Sequence, residues 1–149
     1  MYGKQKTQKN EQISAEWHYI SHKSTDSTLT FTFSSQGSRV WYLDDVSVIH
    51  TQTSSEMLIN GDFASSLNNG WTQYCNTNDT CGGGKFGQLT TSNCHGGVSC
   101  FTDHCLMPNL DYLTQTFTTI PNDLYVLSFW IRVIVTGGPA GLAAYVSLY

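Results

Sequence analysis

From Thr28 to Phe33 the chain reads "TLTFTF", with Leu29, Phe31 and Phe33 on one side and threonines on the other. A period of two is the mark of a half-buried β-strand. "EWHYISHK" likewise puts Trp17, Tyr19 and Ser21 on one face. "YVLSFWIRV" separates Leu127, Phe129, Ile131 and Val133 from Ser128, Trp130 and Arg132. Further strands are predicted at "VWYLDDVSVIH", "MLINGDF", "FGQLTTS", "VSCFTD", "YLTQTFTT" and "LAAYVSLY", with turns at "SQGSR", Asn69–Gly70, "IPND" and "TGGPAG". No helical period outlasts one turn. About ten short strands predict an all-β sandwich, mainly antiparallel. Trp17, Tyr19, Leu29, Phe31, Phe33, Trp41 and Trp71 are its expected core. Residues 1–14 show no period and read as a flexible tail, and 51–56 ("TQTSSE") read as a polar linker.

Composition narrows the function. A chain of 149 residues suits one domain. Charged residues make up 12% and net charge is −4 with seven basic residues, so no basic stripe can follow a phosphate backbone and nucleic acid is not an expected partner. No apolar run reaches the ~18 residues of a membrane helix, so membrane insertion is not expected. The start lacks the apolar stretch of a signal peptide. Five cysteines nevertheless lie between Cys75 and Cys105, beside a glycosylation pattern at Asn78–Thr80. That grouping points to disulfides and a secreted or cell-surface parent, of which this chain reads as a fragment.

Catalytic chemistry is hard to assemble. "VIVTGGPAGLAAY" has the outline of a dinucleotide fingerprint, but Thr136 replaces the first glycine and too little chain follows for a βαβ unit, so a strand–turn–strand hairpin is expected. Asp44 and Asp45 are adjacent and would face opposite sides of a strand, which rules out a paired acid and base. Cys94, His95, Cys100, His104 and Cys105 include zinc-type ligands at unfavourable spacings. Disulfides are the expected use, with Cys75–Cys81 and a bridge within 94–105 favoured and the connectivity open. No helix is present to activate a thiol nucleophile, and no enzyme is predicted.

"INGDFASSLNNGW", "YVLSFW" and "TLTF…WYLDDVSV" together resemble the galactose-binding-like jelly rolls, especially the xylan- and glucan-binding carbohydrate-binding modules and their tandem-repeat relatives. In that family the first motif opens the domain and the last closes it. Here the order is reversed, as if a cut had joined the rear of one repeat (15–50) to the front of the next (57–149). The resemblance implies a circularly permuted jelly roll over 15–149, whose linker 51–56 joins neighbouring strand ends. Exchange of strands with a second copy, or packing on neighbouring repeats, would cover the same edges.

The resemblance further implies glycan binding on a concave sheet face. An aromatic beside a cation makes Trp130 and Arg132 the leading ligand contacts, joined by Tyr112 and Gln115 from the preceding strand. The alternative is a structural or adhesive repeat that binds protein and no sugar. The family also holds a structural calcium ion with an acid of the opening motif, where this chain has Ala64. Asp45, Asn60 and Asp62 could still supply an oxygen site, or Asp44 and Asp45 could simply bond turn amides; the missing carboxylate weighs toward the second.

Overall fold

A computed structural model describes residues 2–5, 12–20, 25–36, 38–75, 81, 85–136 and 143–149. Its eleven strands are β1 (Tyr2–Gln5), β2 (Gln12–Ile20), β3 (Asp26–Ser34), β4 (Ser38–His50), β5 (Ser55–Glu56), β6 (Thr72–Cys75), β7 (Lys85–Thr90), β8 (Cys100–His104), β9 (Asp111–Thr118), β10 (Leu124–Thr136) and β11 (Ala143–Leu148). They form two sheets, ordered β1-β11-β3-β9-β6 and β2-β10-β4-β8-β7, with β5 added to β4. All the strand pairs are antiparallel. The fold is an all-β sandwich, as the alternating pattern predicts.

The inward positions of both sheets meet in one core. Leu29, Phe31 and Phe33 of β3 share this core with Leu127, Phe129, Ile131 and Val133 of β10, joined by Leu113 from the first sheet and Trp41 and Phe101 from the second. Phe31 meets Phe129 edge-to-face at 5.2 Å, and Trp17 meets the same ring at 5.4 Å. Trp41 and Trp71 are buried and keep their indole N–H groups satisfied, donating to Ser34 O at 3.1 Å and Asn60 O at 2.9 Å.

Two segments that read as a last and a first strand do lie side by side. Met57 N donates to Val48 O and Val46 N donates to Gly61 O, both at 2.9 Å. A Cβ added to Gly61 would sit 1.9 Å from Val46 O, so only glycine permits this approach. Apart from β5, however, Met57–Phe63 is a pinned irregular segment and not a strand. Asn60 and Phe63 both take left-handed φ angles, 56° and 53°.

The pairing is also interleaved. No two of β1 to β4 pair with each other; β11 and β9 flank β3, and β10 and β8 flank β4. Neither the first fifty residues nor the remainder completes a sheet without the other.

Three expectations are corrected. Residues 2–5 and 12–14, expected to belong to a flexible tail, lie in strands: β1 pairs with β11, and β2 begins at Gln12; residues 6–11 lie outside the described residues. The glycine-rich stretch does not join a hairpin, because β10 and β11 belong to opposite sheets; its turn at 137–142 lies outside the described residues. Residues 51–56 are more than a linker, since Ser55 and Glu56 pair with His50 and Ile49. His50, at the end of β4, is buried, with Nε2 donating to Asp123 Oδ2 at 2.8 Å. The glycosylation pattern at Asn78 also falls outside the described residues.

Candidate functional site

The bulge in β4 organises one side of the molecule. Trp41 and Leu43 face inward, and so do Val46 and Val48, although their numbers differ in parity. Asp45 absorbs the extra residue with φ at 49°, where the β4–β10 register shifts between Ser128 and Trp130. Asp44 is buried as a result. Its Oδ2 accepts from His95 N at 2.9 Å and Gly96 N at 3.2 Å, and its Oδ1 accepts from Asp45 N at 2.9 Å. Burial raises its pKa, partly offset by those three N–H donors.

Asp44 thereby holds the β7–β8 loop, which the Cys94–Cys100 disulfide closes, over the outer face of the six-stranded sheet. The His95 ring stacks on Trp130 at 5.4 Å, and its Nδ1 donates to Asp45 Oδ2 at 2.6 Å. Trp130, the leading predicted contact, is only 3% exposed. Beside it an open depression of about 290 Å³ is lined by Glu16, Asp45, His95 and Ser128. Arg132 is half-buried, two residues along β10, opposite Tyr42.

Tyr112 and Gln115 do not join this face. Their strand β9 belongs to the other sheet, and residues three apart on a strand point to opposite sides. Gln115 points inward. Its Oε1 accepts from Ile59 N at 2.6 Å and its Nε2 donates to Ile59 O at 2.9 Å, which fixes the "INGDF" segment against the sheet. It is a structural brace.

Tyr112 points outward and finds a partner the sequence reading missed. Tyr74 of β6 lies directly across from it, and the two rings stack at 4.7 Å with only 10° between their planes. The alternation of "TQYC" behind Trp71 was the available signal. Tyr74 is 50% exposed. Register places Thr32 and Tyr145 in the same row, and Thr72, Thr114, Thr30 and Ser147 in the next. From β6 to β11 these two rows carry no charged residue; on β1 the register continues them to Lys4 and Tyr2. Burial, then the neighbouring Tyr74 and the thiols of Cys75 and Cys105, raise the Tyr112 phenol pKa.

The proposed calcium ligands meet at one place but are already engaged. Asp45, Asn60, Asp62 and Glu56 line a second open depression, of about 380 Å³. Asp45 binds His95; Asp62 Oδ1 accepts from Ala64 N at 3.2 Å; Asn60 Oδ1 accepts from Ser65 N at 2.9 Å. Glu56 was not predicted and occupies the centre. It accepts from the amides of Val48, Met57 and Leu58 at 2.9–3.0 Å and from the Ser47 hydroxyl at 2.5 Å. Calcium wants six to eight oxygens free to turn inward. Each of Asp45, Asn60 and Asp62 already gives one side-chain oxygen to a hydrogen bond within the fold, and Glu56 gives both.

The cysteines divide into a bridge and a cluster. Cys94–Cys100 is the expected disulfide within 94–105. Cys75 and Cys81, the other favoured pair, approach to 2.7 Å, and Cys105 shares their pocket. His95 and His104 are not part of that cluster, so the zinc grouping drawn from 94–105 does not form.

No family model matches this chain, and neither a curated protein nor a solved structure does.

Proposed function

We propose that this chain is a non-catalytic, carbohydrate-binding domain of a secreted or cell-surface repeat protein, with its ligand face on the Tyr74–Tyr112 pair. The observation that carries the reading is the parallel stack of two tyrosines, with Tyr74 half exposed, on a hydroxyl-lined stretch of sheet. The face of Tyr74 turned away from Tyr112, on the edge strand β6, offers a pyranose ring an apolar plane for its C–H face, and the phenol and threonine hydroxyls meet its edge. Trp130 supports this role poorly, since the His95 loop covers it. The resemblance to galactose-binding-like jelly rolls in permuted order, and the disulfide, are consistent with the same reading.

Affinity electrophoresis in gels containing xylan or mixed-linkage β-glucan, backed by a glycan array, tests it. Wild type should be retarded. Tyr74→Ala and Tyr112→Ala should each weaken binding about tenfold or more, as expected when an aromatic contact worth ~1.4–2 kcal/mol is truncated. Trp130→Ala should do so only through loss of folding. If folded wild type binds no glycan, or the double tyrosine variant migrates like wild type in the sugar gel, the reading fails. A structural repeat is the second reading, favoured by the same tyrosine-bearing face with Tyr145 alongside. It predicts self-association that Tyr74→Ala abolishes, with no retardation by any glycan.

A further inference from the structure

Three buried thiols converge at one end of the sandwich, where the two sheets come together. Cys75 ends β6 in the five-stranded sheet, Cys105 directly follows β8 in the six-stranded sheet, and Cys81 lies on the connection between β6 and β7. All three sulfur atoms lie within 4.8 Å of one another. Cys81 and Cys105 are almost fully enclosed, and backbone bonds hold both. Leu106 N donates to Cys81 O at 3.0 Å, and Ser35 N donates to Cys105 O at 2.9 Å.

A soft metal ion and a disulfide compete as occupants of such a pocket. Charge decides between them. Asp103 and Asp111 sit beside the thiols, both buried, and Asp103 Oδ2 has no hydrogen-bond partner among the described residues. Burial, the Asp111 carboxyl and its charge raise the Asp103 pKa. Burial likewise raises the Cys81 thiol pKa and pushes Cys105 up to about 12. Three thiolates around a divalent ion would leave a net negative charge in this pocket, whereas a disulfide carries none. The covalent Cys94–Cys100 bond shows that this chain accommodates oxidised cysteines.

We propose that Cys75, Cys81 and Cys105 form a thiol–disulfide exchange site holding one disulfide, with Cys81 as the partner shared between Cys75 and Cys105. The bond forms while the chain is folding, before the sheets close over it. The Cys81 thiolate attacks glutathione disulfide and expels one glutathione thiolate. A second protein thiolate then attacks the Cys81 sulfur and expels the cysteinyl sulfur of glutathione, so two protein thiols are oxidised and one glutathione disulfide is reduced. Exchange afterwards needs no oxidant. The Cys105 thiolate attacks Cys81, the Cys75–Cys81 bond breaks, and Cys75 leaves as a thiolate that takes up a proton. One pairing closes a short loop; the other ties that loop to the opposite sheet.

The full chain, refolded in a glutathione redox buffer, is held at pH 7, 8 or 9, quenched in acid, alkylated and mapped by non-reducing peptide mass spectrometry. The expected result is Cys94–Cys100 together with both Cys75–Cys81 and Cys81–Cys105 in one preparation. Their ratio should reach its final value about tenfold faster per pH unit, because the Cys105 thiolate fraction rises tenfold per unit below its pKa. Cys75, Cys81, Asp103 and Tyr112 are the titratable groups facing it, and Asp111 acts on Cys81 beside it. Cys105→Ser should give Cys75–Cys81 alone, and Cys75→Ser should give Cys81–Cys105 alone. A single fixed pairing in wild type, three alkylated thiols after oxidation, or one equivalent of retained zinc would each overturn the proposal.

Discussion

Gly61→Ala puts the seam between residues 40–50 and 57–63 to the test. The new methyl would lie 1.9 Å from Val46 O, and real contacts of this kind stay beyond 3.0 Å, so the two segments must part by roughly an ångström or more. The neighbouring bond from Val46 N to Gly61 O, now 2.9 Å, would stretch past useful length. Overpacking costs ~1–3 kcal/mol and a lost buried hydrogen bond ~1 kcal/mol, giving about 2–4 kcal/mol. For a chain of this size that is a fall in Tm of about 5–15 °C. Thermal and urea denaturation, followed by circular dichroism, would measure it. Gly96→Ala is the control, because its nearest neighbour, Asp45 Oδ2, lies 3.9 Å from the added Cβ; it should change stability by under ~0.5 kcal/mol. If Gly61→Ala is as stable as wild type, the two segments do not touch and the account of the fold fails.

Two further substitutions probe buried carboxyls. Asp103 carries a raised pKa, up to about 8, so the folded state binds its proton more tightly than the unfolded chain does. Stability should therefore fall as pH rises from about 4 to about 8, by at most ~1.4 kcal/mol per pH unit, and level off above. Asp103→Asn should flatten that slope in urea titrations at successive pH values; an unchanged slope counts against the assignment. Asp44→Ala removes the acceptor for the amides of Asp45, His95 and Gly96. It should cost about 2–3 kcal/mol and lift the His95 loop from Trp130, raising acrylamide quenching of tryptophan emission. Unaltered quenching would show that the loop is held otherwise.

Much of the sandwich is legible in the alternation of β3, β9 and β10, where one face must be apolar. The seam is legible as well, from the order of the two end motifs. What the sequence hid has local causes. Tyr112 and Gln115 precede Trp130 in the chain by little, but consecutive strands of a sandwich often cross between sheets, so sequence proximity misplaced them. Asp44 and Asp45 read as an ordinary alternating pair, whereas the bulge shifts the parity of every inward residue after them. Glu56 looked like part of a polar linker, and only the folded chain brings three amides to its carboxylate. Polar residues 1–14 carry no apolar period because edge-strand pairing rests on backbone groups, which composition does not reveal.

The interleaved order of the two sheets bears on how the molecule is made. As the chain is synthesised, the first four strands emerge with no neighbour able to hydrogen-bond to them, and β10 and β11, which pair with β1 to β4, are translated last. β1 and β2, paired only with β11 and β10, must then await nearly the whole polypeptide, a long-range closure that folds slowly and exposes bare strand edges meanwhile. Cleaving the turn at 51–54 would yield one peptide whose strands have no partner among themselves and one that keeps only the β6–β9 and β7–β8 pairs, the two completing one another.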